Sequence, residues 1–250
     1  MENTDEENRS LWVPEQEQWQ LSGDSLAEVV KSYSLFLEVC HPKLFKLFQE
    51  RLKSDPDAAR AEAVVFSWLR SEQYDPSVSE SPQTGGIDFF CTPASQKPFL
   101  LEVTHLDREA VEKRSGWPDQ LDDVVRAFSQ ITPHLWSKSK GKAPQLAGHD
   151  SARLLAICLS HVGAAALLGT LAAEWFMTSQ PKIAVPIALD GRLKDSWLVT
   201  DLKKAAFMAV RDGQIVPVRQ SISAILLVAI WEDQLNVLLE SGVKTEILKR

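Results

Sequence analysis

Two carboxylates sit inside apolar runs where a carboxylate is expensive. Asp88 lies in Gly85-Gly86-Ile87-Asp88-Phe89-Phe90-Cys91, and Glu102 in Phe99-Leu100-Leu101-Glu102-Val103-Thr104-His105. Both runs are rich in aromatic and β-branched residues and flanked by turn formers, with Thr92-Pro93-Ala94-Ser95 between them, so they read as the two strands of a hairpin. Burying one isolated carboxylate is costly, and two on neighbouring strands also repel each other. A positive partner between them, most simply a divalent cation, answers both costs; an arginine or backbone donors would answer them without any catalytic meaning. Strand alternation places Leu100, Glu102 and Thr104 on one face and Phe99, Leu101 and Val103 on the other. His105 then points away from Glu102 and reads as a structural or boundary histidine.

A third acid comes from a helix. Asp55-Pro56 is a start signal, and the helix it opens, about residues 56–71, puts Glu62 in line with Ala58, Val65, Phe66 and Leu69, facing the core. If the buried stripe is instead Ala61, Val65, Trp68 and Leu69, Glu62 lies at the boundary with water. Concentrated positive charge appears at Ser137-Lys138-Ser139-Lys140-Gly141-Lys142, either a phosphate contact or solvated surface. The glycine pair before Asp88 leaves open space for a ligand, or makes a tight turn.

The elements that must position these groups follow from periodicity. Residues 1–21, polar and charged apart from Trp12 and Trp19, predict a flexible arm. Ser25-Leu26-Ala27-Glu28 is a capping box opening a helix to about 40, and Pro42 opens a second to about 53. Ser71 to Thr84 reads as a loop, and Asp107 to Arg114 as a charged connection. A helix over about 118–136 follows, kinked or ended by Pro133. Leu154–Leu159 and Ile183–Leu189 read as buried strands around a helix at Ala164–Met177. Asp212-Gly213 marks a hairpin turn, Ser223–Trp231 another buried strand, and Leu235–Leu248 a terminal helix or irregular tail. Strands alternating with helices predict an α/β fold, a mixed central sheet flanked by helices. The predicted organisation is the arm followed by one domain over 22–250: a helical layer at 22–55, a core at 56–190 and a strand-rich extension at 191–250.

Composition bounds the function. With 250 residues, 44% of them hydrophobic, the chain can bury a sizeable core. A net charge of −7 argues against coating nucleic acid by bulk charge, though a local basic groove remains open. Three unpaired-looking cysteines, an acidic N-terminus without a signal pattern, and no apolar run of the roughly 20 residues a membrane span needs predict a cytoplasmic protein without membrane attachment. No HExxH, GxSxG, P-loop or GxGxxG spacing is present, so zinc hydrolase, serine hydrolase and nucleotide-binding readings lack support.

The succession of helix acid Glu62, strand acid Asp88 and strand acid Glu102 resembles the PD-(D/E)XK nuclease superfamily, over about residues 56–160. The resemblance implies a restriction-endonuclease-like core and metal-dependent hydrolysis of phosphodiester bonds in DNA or RNA. It implies Mg2+ (or Mn2+) held by Asp88, Glu102 and the Val103 carbonyl, with Glu62 as a supporting acid. The family's lysine falls on Thr104, a departure. Lys138, Lys140 or Lys142 would then supply the amine, Thr104 and His105 would do a weaker version of its work, or the site is inactive and the chain is a module for protein or nucleic-acid interaction. An acidic nuclease of this size could also depend on a protein partner for delivery.

Overall fold

The computed structural model describes residues 16–19, 26–80, 86–115, 124–161, 164–168, 170–178, 181–184, 197–200, 205–231 and 242–249. Three helices come first, α1 (Leu26–Cys40), α2 (Pro42–Ser54) and α3 (Pro56–Ser71). Asp55 caps α3 by accepting from the Ala58 N–H (3.2 Å), and proline occupies the first turn of both α2 and α3. Nearly every side chain of α3 from Ala59 to Leu69 is buried, because α1 and α2 cover one side of it and the sheet the other.

The sheet has seven strands in the order β1-β11-β10-β5-β4-β3-β2. These are β1 (Gln16–Trp19), β2 (Pro76–Val78), β3 (Phe89–Cys91), β4 (Phe99–His105), β5 (Ala152–Ser160), β10 (Ala224–Trp231) and β11 (Gly242–Lys249). The pairs β4–β5 and β5–β10 are parallel and the others antiparallel, so the sheet is mixed and flanked by helices, as expected. One face, with Phe89, Leu101, Ala156 and Val228, packs against α1–α3. The other, with Leu100, Leu155, Ile157 and Leu227, packs against α4 (Arg108–Ser115), α5 (Val124–Lys142), α6 (Ala164–Leu167) and α7 (Thr170–Thr178). Period-two alternation therefore assigns Glu102 and Thr104, in phase with Leu100, to the α5 side.

Several elements differ from expectation, each for a local reason. Pro76–Val78, inside the predicted loop, is an edge strand, a place where a proline lacking its N–H is tolerated. The charged connection is a helix, α4, because Asp107 accepts from the Ala110 N–H (3.0 Å) as its cap and Arg108 pairs with Glu112 one turn on. α5 runs through Pro133 to Lys142; the buried Ile131 and Leu135 on either side outweigh one lost hydrogen bond. The helix predicted over 164–177 is split into α6 and α7. Pro181–Ala184 (β6) pairs with Trp197–Thr200 (β7) in a separate two-stranded sheet, apart from the central one; the rest of the predicted 183–189 strand lies outside the described residues. Met208–Arg211 (β8) and Gln214–Pro217 (β9) form the expected hairpin, with Asp212 and Gly213 at φ 50° and 77°. Within the predicted tail, Gly242–Lys249 is a strand, β11, and β1, part of the predicted arm, adds to its outer edge; the tail before residue 242 lies outside the described residues. Residues 1–15, 20–25 and 116–123, where parts of the predicted arm and of the 118–136 helix fall, lie outside the described residues. Among the described residues, no helix is long and apolar enough to cross a membrane.

Candidate active site

The site begins where a ladder stops. β3 and β4 pair only from Cys91↔Phe99 to Phe89↔Leu101, yet β4 runs on to His105, paired with β5 alone. On the vacated side the Val103 N–H donates to Asp88 Oδ2 at 2.6 Å, a side chain standing in for the missing strand. In an extended strand the N–H and C=O of one residue point the same way, so the Val103 carbonyl faces the same gap. The gap opens into a cavity of about 460 Å³ whose wall includes Glu62, Asp88, Glu102, Val103, Lys138 and Lys142. Gly86, at φ 142°, lies on the rim and holds a backbone conformation that side chains rarely adopt; Gly85 lies outside the described residues.

Asp88 and Glu102 line this cavity together. Glu102, only 4% exposed, accepts from Lys142 Nζ through Oε1 (2.7 Å), while its Oε2 is buried with no hydrogen-bond partner. Burial raises the Glu102 pKa, and Lys142 and the Asp88 backbone N–H oppose the rise. Burial raises that of Asp88 further, reinforced by the charges of Glu102 and Glu62 and opposed by the Val103 N–H. Lys142 reaches Glu102 because α5 continues past Pro133: its last turn lies on the sheet face that alternation gives Glu102.

Glu62 lines the same cavity from α3 and is 6% exposed, so the inward placement is the one realised. Both of its oxygens are engaged. Tyr33 donates its hydroxyl to Oε1 (2.6 Å), and Arg51 Nη1 donates to Oε2 (2.5 Å). Burial raises the Glu62 pKa against the lowering effect of these two donors. Burial and the neighbouring carboxylate also raise the Tyr33 pKa, which keeps its hydroxyl a donor. Burial works against the Arg51 charge, but Glu62, Glu80 and Asp88 outweigh it and the guanidinium pKa rises. Arg51 Nη2 lies 3.6 Å from Glu80 Oε1, a loose contact.

Of the three clustered lysines, Lys138 and Lys142 line the cavity, whereas Lys140 is exposed and lies over the Trp136 ring at 5.0 Å. Thr104 and His105 both line the cavity; His105, expected to face away, sits at its edge with Nε2 3.5 Å from Asp55 Oδ1. Sequence reasoning missed Arg51, Glu80 and Tyr33. Arg51 falls within the apolar run of α2, beside Leu52, and no spacing links it with Glu62, which lies on the next helix.

Charge around the cavity is unbalanced. Five carboxylates, of Asp55, Glu62, Glu80, Asp88 and Glu102, face three permanent cations, Arg51, Lys138 and Lys142. Among the described residues no three His, Cys, Asp or Glu side chains cluster so as to hold a metal ion. The donor set present is two carboxylates and a backbone carbonyl, which suits an ion that keeps several waters and takes phosphate oxygens as ligands, as Mg2+ does. The orphaned Glu102 Oε2 fits that ion, since a buried carboxylate oxygen without a donor is costly unless something positive meets it. No family model, no curated protein and no solved structure matches the chain.

Proposed function

We propose that the chain is a metal-dependent nuclease of the PD-(D/E)XK kind, hydrolysing phosphodiester bonds of DNA or RNA. The observation that carries this reading is the Glu102 carboxylate, with one oxygen on Lys142 and the other buried and unpartnered beside Asp88 in an open cavity. The order of elements supports it: α3 with Glu62, then β2, β3 after Asp88, β4 with Glu102, α5 with Lys142 and the parallel strand β5. Lys142 answers the departure at Thr104, bringing an amine to the carboxylate from the following helix.

Asp88, Glu102 and the Val103 carbonyl would hold Mg2+ or Mn2+, which when bound supplies a more acidic water and a polarised phosphate. The chain's own groups do the rest. Lys142, within 2.7 Å of Glu102, orients the attacking water and offsets charge developing on the phosphate oxygens. Lys138 adds a second cation to the same wall. The β4 backbone fixes the spacing of the two acids, so little rearrangement is needed at the moment of reaction.

A second reading, a non-catalytic module of the same architecture that binds protein or nucleic acid, is favoured by the Lys142–Glu102 ion pair, which already partners one oxygen of the carboxylate. The decisive experiment is cleavage of mixed single- and double-stranded DNA and RNA with Mg2+ or Mn2+, beside Asp88→Ala and an EDTA control. Cutting that needs the metal and is lost in Asp88→Ala establishes the nuclease. An intact substrate panel, with no heat of metal binding by calorimetry, establishes the module.

A further inference from the structure

A guanidinium stands in the cavity wall that the proposed chemistry leaves unused. Arg51 is one-third exposed (34%), and its Nη1 is fixed by Glu62 at 2.5 Å. Glu62 in turn is fixed by Tyr33, whose ring is buried among Phe36, Phe48, Phe66 and Phe89. The chain Tyr33–Glu62–Arg51 therefore runs from rigid aromatic core to solvent-facing cavity and ends on a planar donor fork. Among the described residues, the second edge of that fork, Nη2, has only the long 3.6 Å contact with Glu80.

We propose that Arg51 is a substrate-phosphate ligand, binding a backbone phosphate of the nucleic acid next to the bond that is cut. Glu62 and Tyr33 are then positioning residues and do not ligate metal. This inference rests on the nuclease reading. Both Glu62 oxygens already accept short hydrogen bonds, which leaves that carboxylate little capacity for a metal but aims Arg51 well. A guanidinium gives two parallel N–H donors to a phosphate, the geometry that an ammonium lacks. The loosely held Glu80 carboxylate marks the place where an anion meets Nη2, and substrate phosphate displaces it.

The test is binding without catalysis: anisotropy of short fluorescein-labelled DNA and RNA oligonucleotides in EDTA, titrated over a range of salt. Arg51→Met with Glu62→Gln removes both charges together, so no buried carboxylate is stranded and the fold is kept. The expected result for this double variant is binding weakened roughly tenfold or more, with the salt slope of log K smaller by about one. Arg51→Lys should recover the slope but only part of the affinity, and in metal-supported cleavage Arg51→Lys should raise KM more than it lowers kcat. Unchanged affinity and slope in the double variant overturns the inference, because Arg51 is then only a counter-ion for Glu62; the nuclease reading survives if the parent protein still cuts. If the parent protein neither binds nor cuts either oligonucleotide, both fall together.

Discussion

Glu62 and Glu102 are buried to nearly the same degree and line one cavity, yet they are treated differently. Glu62 has a donor on each oxygen, whereas Glu102 has one oxygen on Lys142 and the other on nothing. Burial alone therefore does not identify the reactive carboxylate. A fully satisfied acid holds its donors in place; a half-satisfied acid, beside a second acid of raised pKa, is the feature on which the proposed cation site rests. The local excess of carboxylates over permanent cations points the same way.

The largest expected effect separates the two kinds of acid by activity. Glu102→Gln and Asp88→Asn should each lower metal-supported cleavage by more than the roughly 100-fold that losing an outer-shell partner costs, and should abolish metal binding in calorimetry. Glu62→Gln should keep metal binding and lose less activity. Equal loss of metal binding in all three would erase the distinction and make Glu62 a ligand.

Stability should break the comparison in the opposite sense. Arg51→Met strands Glu62 with Tyr33 alone and should cost about 3 kcal/mol in denaturant unfolding. Lys142→Met should cost about 1 kcal/mol, since Lys142 meets one carboxylate, Glu102, whereas Arg51 meets two, Glu62 and Glu80. A larger loss for Lys142→Met would mean that this ion pair is structural, as the module reading requires.

How much of this was legible depended on whether the signal was local. The three N-terminal helices are readable because caps, prolines and apolar spacing agree within one segment: Asp55, Pro42 and Pro56 state their own roles. Asp88 and Glu102 are readable because a carboxylate in an apolar strand violates a local rule. Arg51 violates none, and its meaning appears only when α2 is folded across α3. The same limit hid β1, whose strand pairing with β11 joins the two ends of the chain. At Pro133 the local rule was read correctly but outweighed, since burial of Ile131 and Leu135 is a tertiary term. That continuation is also what carries Lys142 to Glu102, so the misjudged helix end concealed which lysine meets that acid.

A smaller effect concerns pH. Asp88 is held above its ordinary value, first by burial and then by Glu102 and Glu62, so between that ordinary value and its raised one the folded state binds more protons than the unfolded chain. Its contribution is thus fully present below about pH 4, and is lost as pH rises through the raised value. Asp88→Asn should remove this loss, flattening the stability-against-pH curve above about pH 4 and raising stability at neutral pH. Some slope should persist, because Glu62 and Glu102 are shifted in the same direction. Mg2+ at about 100 times its Kd should raise the stability of the parent protein by about 2.7 kcal/mol at neutral pH and leave Asp88→Asn unmoved. An unaltered pH slope in the variant would place Asp88 in water.

The smallest effect is expected at Lys140, and it sharpens the comparison by removing charge without touching the cavity lining. Its ammonium lies over Trp136, on the other side of the helix turn from its neighbours Lys138 and Lys142. An exposed contact of this kind contributes about 0.5 kcal/mol. Lys140→Ala should therefore lower stability by no more than that and leave cleavage unchanged, whereas Lys142→Met removes the same formal charge two residues on and should lower turnover sharply. If charge density of the lysine run, and not the position of one amine, assists the reaction, the two variants will lose activity alike. Measuring turnover of both at low and at high salt decides it, because a diffuse field is screened by salt and a contact at 2.7 Å is not.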